Sequence, residues 1–196
     1  MTSNRHNSQA DGSRDDPFLD AARENILAVG WRRTTLTDIA RRAGVSRMTI
    51  YRRWPDMETL LGDLLVREWG GLIDDALTVD APRTRGAIVR GVTSTVAALR
   101  ANAVFRRILE VDPELLLPYL LERRGRNQDR VLDLLTRAIT EGQRDGTVRT
   151  GDPALLGRAL LLALHGFVIS HATMSDTPAE DLDRELATLV ERYLQP

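Results

Sequence analysis

Residues 35–61, TLTDIARRAGVSRMTIYRRWPDMETLL, decide the fold. Thr35 stands where a hydroxyl caps a helix start, and Asp38, three residues on, supplies the acidic half of a capping box. Ile39 and Ala40 then fall on one side of the helix while Arg41 and Arg42 fall on the other, the pattern of a short amphipathic helix. Gly44 ends that helix, because a residue without a Cβ takes the left-handed conformation there, and Val45 anchors the turn. Ser46 caps a second helix reaching Trp54, where Pro55 prevents continuation. At about 1.5 Å per residue this second helix is roughly 13 Å long, which suits a major groove about 12 Å wide. Ile50 and Trp54 share its inward face, which leaves Arg47, Met48, Tyr51 and Arg52 outside.

Charge agrees with that placement. Arg32, Arg33, Arg41, Arg42, Arg47, Arg52 and Arg53 lie between Trp31 and Trp54 against the single acid Asp38, a net charge of +6. The whole chain carries −1, so all residues outside the segment sum to −7. An arginine-rich face alone is an ordinary solvated surface. Joined to two caps and a glycine turn, the polarisation reads as an electrostatic footprint for DNA.

The sequence here resembles the helix-turn-helix of the tetracycline-repressor (TetR) family of bacterial transcription regulators. The features that carry the likeness are Thr37, Ile39-Ala40, Ala43-Gly44-Val45-Ser46, Thr49-Ile50-Tyr51, Trp54 and Glu58-Thr59-Leu60-Leu61. They cover residues 17–66. The resemblance implies a DNA-binding set of Thr35, Thr37, Arg47, Met48, Thr49, Tyr51, Arg52 and Arg53. Within it, Thr35, Tyr51 and Arg53 take phosphates, and Arg47, Met48, Thr49 and Arg52 take base edges. The chemistry fits, since arginine grips guanine O6 and N7 with two bonds, hydroxyls serve phosphates, and Met48 or the Thr49 methyl can touch a thymine methyl. Two positions depart from the family's habit. Met48 replaces a small residue, and Met57 replaces a lysine that commonly meets a phosphate, although Asp56 still caps the helix.

Composition suits a compact regulator. A chain of 196 residues with 42% hydrophobic content suits one small module and one larger one. It has no cysteine, which excludes disulfides, thiolate metal sites and cysteine nucleophiles. All 27 basic residues are arginine. No apolar run is expected to reach the roughly 20 residues that span a membrane, and no signal-peptide core opens the chain, so a cytoplasmic protein is expected.

Periodicity predicts an all-α chain of about nine helices in three parts. Residues 1–16 read as a disordered arm whose Arg5 and Arg14 are possible minor-groove contacts; 17–66 form the helix-turn-helix domain; and 67–196 form a helical effector-binding and dimerisation domain. The first helix, 17–30, buries Phe18, Ala21, Ala22, Ile26 and Leu27. A long fourth helix, from Asp56 to about Val79, packs Leu60, Leu61, Leu64 and Leu65 beneath the DNA reader and links the two modules. Helices follow at 84–101 and 103–111, with a break at Asp112-Pro113 and a kinked or separate turn over 114–121 around Pro118. A long helix is expected over 122–144, burying Val131, Leu134, Leu135, Ala138 and Ile139, with Gly142, Gly146 and Gly151 in the loop after it.

The helix over 153–173 is apolar on almost every side and needs cover on every side. The last helix, 178–194, carries Leu182, Leu186, Leu189, Val190 and Tyr193 in one stripe. Two such helices from each of two chains make a two-fold four-helix interface, which the family resemblance also implies; its expected members are Leu156, Leu160, Phe167, Leu182, Leu186, Leu189 and Tyr193. A wholly intramolecular bundle is the other reading. Dimerisation spaces two recognition helices about 34–36 Å apart, to match a palindromic operator on double-stranded DNA.

The same resemblance implies an unidentified small-molecule effector that releases DNA. Candidate wall residues are Trp69, Ile73, Val92, Val96, Phe105, Leu109, Leu116, Tyr119, Leu120, Leu135, His165, Phe167 and His171. Six residues apart on a helix, His165 and His171 point about 240° apart, so they do not jointly chelate a metal. No metal site and no cofactor are expected. The reading is a ligand-responsive repressor rather than an enzyme, since the chain shows neither a glycine-rich phosphate loop nor a cluster of metal ligands. The alternative is a DNA-binding regulator without an effector, or, less favoured, an all-helical enzyme.

Overall fold

The computed structural model describes residues 17–77 and 84–196. Residues 1–16, with Arg5 and Arg14, and residues 78–83, where the fourth helix was expected to end, lie outside the described residues. The described chain is all-helical, with ten α-helices where about nine were expected. It divides into two compact units, Met1–Arg67 and Glu68–Pro196.

The first unit holds α1 (Pro17–Val29), α2 (Leu36–Arg42), α3 (Arg47–Arg53) and the beginning of α4 (Met57–Leu77). Proline suits the first turn of α1, where its missing N–H has no partner to lose. Gly30, at φ 85°, stops the helix. Phe18, Leu19, Ala21, Ala22 and Ile26 of α1 are buried with Leu36, Ile39 and Ala40 of α2, Ile50 of α3 and Leu60, Leu61, Leu64 and Leu65 of α4. Leu27, expected in this core, is only half-buried, and Leu19 and Asn25 are buried instead. Trp54 meets the Phe18 ring edge-on, with centroids 5.4 Å apart. An ion pair of 2.7 Å between the largely buried Arg67 and Asp20 ties α4 to α1.

The second unit contains α5 (Arg85–Ala101), α6 (Ala103–Val111), α7 (Leu117–Leu121), α8 (Arg126–Arg144), α9 (Pro153–His165) and α10 (Ala179–Leu194). The Asn102 side chain caps α6 by accepting the Phe105 N–H at 3.0 Å. A 3-10 turn, Pro113–Leu116, precedes α7, as the two prolines require. The helix expected from 122 begins at Arg126, because Gly125 is its N-cap and the Gln128 side chain turns back to accept the Gly125 N–H at 2.7 Å. Gly142, expected in a loop, is a buried residue of α8.

α9 packs against α8, with the buried Gly157 facing Leu135 and Thr136. On α5, Ile88, Val92 and Val96 recur every fourth residue and are buried. Leu186, Val190 and Leu194 recur in the same way on α10, which packs against α5. Arg85 and Glu191 add an ion pair of 2.6 Å between these helices, and Arg100 pairs with Asp183. Arg149 closes the carboxyl end of α10: its Nε donates to the Tyr193 carbonyl at 2.7 Å, where a cation complements the helix dipole.

After His165 the chain continues as a π-helical segment, Gly166–Ser170, and a 3-10 turn, His171–Thr173. The expectation that no apolar run reaches membrane-spanning length therefore needs correction. Pro153–Thr173 forms 21 continuous helical residues that include an 18-residue window of mean hydropathy 1.6. Leu156, Leu160, Leu161, Leu164 and Val168 are buried within the chain, while Leu155 and Leu162 of the same segment are exposed.

Candidate nucleic-acid interface

Two helix starts and one helix stop set the geometry of the α2–α3 pair. Thr35 Oγ1 accepts the Asp38 N–H at 3.1 Å and donates its own proton to Asp38 Oδ2 at 2.6 Å. That hydroxyl bond, and then the Arg41 charge, hold the Asp38 carboxyl below its usual pKa. Gly44, at φ 69°, closes α2: the Val45 N–H reaches back to the Ala40 carbonyl at 3.0 Å and the Gly44 N–H to that of Arg41 at 3.2 Å. This pair of crossed bonds satisfies carbonyls that the helix end would otherwise orphan. Ser46 Oγ then accepts the Thr49 N–H at 3.3 Å and opens α3.

The far end of α3 is fixed as firmly. Its last N–H bond runs from Trp54 to the Ile50 carbonyl at 2.8 Å. Trp54 is buried, and its indole N–H donates to Asp63 Oδ2 of α4 at 2.7 Å. Asp56 Oδ1 accepts the Thr59 N–H at 2.7 Å and so caps α4.

With Ile50 and Trp54 turned inward, Arg47, Met48, Tyr51, Arg52 and Arg53 are exposed and Thr49 is half-buried. Met48 is 79% exposed, an unusual state for a thioether, and leaves an apolar spot amid the arginines. The Thr49 hydroxyl shares a 2.9 Å bond with Ser46, so it serves the cap as well as facing outward. Thr35 is exposed and Thr37 is half-buried. The helix is a residue shorter at each end than its flanking caps suggested.

The arginines differ in what they hold. Arg41 pairs with Asp38 at 2.8 Å and Arg42 with Glu24 of α1 at 2.9 Å, so part of the segment's charge is neutralised by carboxylates. The Arg53 guanidinium lies over the Trp54 ring, 4.5 Å from its centroid. Arg47 Nε donates to Thr37 Oγ1 at 3.0 Å. Neither Arg47 nor Arg52 has a carboxylate partner among the described residues. Periodicity did not reveal the Glu24 and Thr37 bonds, which join one helix to the next.

In the second unit the expected wall residues separate into groups. Trp69 and Phe105 meet edge-on at 5.4 Å. Ile73, Val92, Val96, Phe105, Leu116 and Leu135 are buried; Trp69, Leu109, Tyr119, His165, Phe167 and His171 are half-buried, and Leu120 is exposed. Gln128, absent from the expected set, joins two of its members. Its Nε2 donates to the Tyr119 carbonyl and lies 3.0 Å from His165 Nε2. Because Gln128 Oε1 is occupied by the Gly125 N–H, the amide nitrogen faces the imidazole and His165 Nε2 accepts. Burial also holds the His165 pKa below its ordinary 6.5, which favours the uncharged ring. The glycine and the glutamine three residues later were the sequence signal for this cap. Trp69 Nε1 and His171 Nδ1 are buried without a hydrogen-bond partner among the described residues.

The expected dimer set needs correction. Leu156, Leu160 and Leu186 are 4%, 4% and 1% exposed in the single chain, so they belong to its own core and offer no surface to a partner. Leu182, Phe167 and Tyr193 are half-buried and Leu189 is exposed. Leu155 and Leu162, two turns apart on one side of α9, are 60% and 71% exposed; the inner and outer stripes of α9 had been read as one. Among the described residues no group of three or more histidines or carboxylates could hold a metal.

Residues 18–64 match the family described as bacterial regulatory proteins, tetR family. An uncharacterized HTH-type transcriptional regulator of Mycobacterium tuberculosis is 34% identical over 145 residues, which covers 74% of this chain and 75% of that relative. The solved structure of the R. erythropolis transcriptional repressor QsdR, of the TetR family, superposes with a TM-score of 0.66 at 19% identity, over 95% of this chain and 96% of that one. A SmeT–triclosan complex gives a TM-score of 0.63 at 21% identity, over 93% and 91% of the two chains. The last two likenesses concern the fold.

Proposed function

The chain belongs to the tetR family of bacterial transcriptional regulators, a family of regulators rather than enzymes, and from that premise we propose that it is a ligand-responsive cytoplasmic repressor. It binds a palindromic operator as a dimer and leaves it when a small molecule binds the second unit. The observation that carries the reading is α3, capped at both ends, with Arg47, Met48, Tyr51 and Arg52 on its exposed side. By their chemistry Arg47 and Arg52 suit guanine edges, Met48 and the Thr49 methyl suit thymine, and Thr35, Tyr51 and Arg53 suit phosphates.

Support for an effector comes from the second unit, whose Trp69 and His171 hold buried polar atoms that a ligand can satisfy. QsdR is described as a repressor, and SmeT as a complex with triclosan, a small molecule. Support for self-association comes from the exposed Leu155 and Leu162 of α9 and Leu189 of α10. An inducer must prefer the DNA-free form, by roughly 1–3 kcal/mol in typical coupling. Selection of bound fragments from random duplex DNA, repeated with a metabolite library present, tests the proposal. A two-fold symmetric motif that is lost with one metabolite supports it. Fragments without any shared motif reject it, and a motif indifferent to every metabolite rejects only its ligand-responsive part.

A further inference from the structure

We infer that Thr37 is a positioning residue: its hydroxyl fixes the Arg47 guanidinium in the pose that reads a base, and so sets specificity without itself touching that base. The inference rests on the proposed role of α3. An exposed arginine at the start of a helix has several freely rotating bonds, and ordering them opposes binding. Here one of its donors is already used. Arg47 Nε donates to Thr37 Oγ1 at 3.0 Å, and that oxygen is the acceptor, since a guanidinium only donates.

Thr37 is a suitable peg. It is the second residue of α2, between the buried Leu36 and the carboxylate of the Thr35–Asp38 cap, so its backbone is fixed. Its branched Cβ restricts the side chain further. The bond occupies Nε and leaves both terminal nitrogens of Arg47, with four N–H groups, for a two-pronged grip on guanine O6 and N7. A carboxylate in the same place would orient the side chain but neutralise it, as Asp38 does for Arg41 and Glu24 for Arg42. A neutral hydroxyl orients Arg47 and keeps its positive charge for DNA. The arrangement also carries a geometric coupling, because the position of α2 fixes the direction of a side chain on α3.

The test is a double-mutant cycle on the full chain, read by binding to the operator obtained by selection, to duplexes altered at single base pairs, and to random duplex. Thr37→Val keeps the branched shape and removes the acceptor. It is expected to weaken operator binding about three- to tenfold, more than it weakens random-duplex binding, and to flatten preference at the base pair that Arg47→Ala also relaxes. Thr37→Ser restores the acceptor and is expected to recover most of the preference. In the Arg47→Ala background, Thr37→Val is expected to cost nothing more. Equal weakening on operator and random DNA, or losses that simply add, would overturn the inference and leave a phosphate contact at Thr37. If Arg47→Ala itself leaves base preference intact while other α3 variants lose it, the assignment of Arg47 fails and the role of Thr37 falls with it. Melting curves of each variant separate these outcomes from unfolding.

Discussion

The Trp54 indole N–H donates to Asp63 Oδ2 across 2.7 Å, and this bond fastens the end of α3 to α4. Trp54 is 1% exposed, so its N–H has no water to turn to. Replacing Asp63 by Ala leaves that donor unsatisfied in the core, at a cost of about 1–3 kcal/mol. Denaturant titration is expected to show that loss, and operator affinity to fall with it because α3 loses its anchor. A variant as stable as the parent would show that the bond contributes nothing.

Arg52 and Tyr51 make separable contributions if α3 reads DNA as proposed. Arg52→Ala is expected to weaken operator binding by about 1–3 kcal/mol and to relax preference at one position. Tyr51→Phe removes a hydroxyl suited to phosphate and is expected to weaken all duplexes alike. Anisotropy titrations with matched and altered duplexes measure both. A sequence-selective loss in Tyr51→Phe would assign it to a base instead.

The two stripes of α9 predict opposite outcomes for a buried and an exposed leucine. Leu160→Asp places a charge in the core of the single chain and is expected to prevent stable folding. Leu162→Asp alters a side chain that is 71% exposed and is expected to yield folded monomers. Light scattering together with circular dichroism distinguishes them. A folded dimer in Leu162→Asp would move the interface elsewhere.

The lowered His165 pKa makes stability depend on pH in one direction. Its folded pKa lies below the ordinary 6.5, so the unfolded chain binds the proton more readily. The stability linked to it is complete above 6.5 and is lost as pH falls toward the lowered folded value. His165→Gln keeps an acceptor for Gln128 without titrating in this range. Melting profiles between about pH 5 and 7 are expected to fall less steeply for the variant. Parallel profiles would mean that the histidine titrates normally.

Much of the first unit was legible because its determinants are local. The Thr35 and Ser46 caps, the Gly44 turn and the Pro55 stop act within four residues of where they stand, and all four recur in the structure. The inward pair Ile50 and Trp54 followed from helical spacing alone. The second unit was read less well for two reasons. On α9 nearly every residue is apolar, so periodicity lacks contrast and does not separate Leu156 and Leu160, which are buried, from Leu155 and Leu162, which are not. Long-range bonds have no local signature either. Gln128 of α8 meets His165 of α9 only once the two helices are side by side.

Comparative binding to a selected operator and to a scrambled duplex of equal length, across a range of salt, tests the central claim most directly. The account predicts clear preference for the operator at modest ionic strength, with affinity for both duplexes falling as salt rises because arginines displace counterions from phosphates. Preference is expected to collapse when Arg47 and Arg52 are both replaced by Ala. Equal, weak binding of the two duplexes by the unaltered protein would contradict the claim that α3 reads DNA.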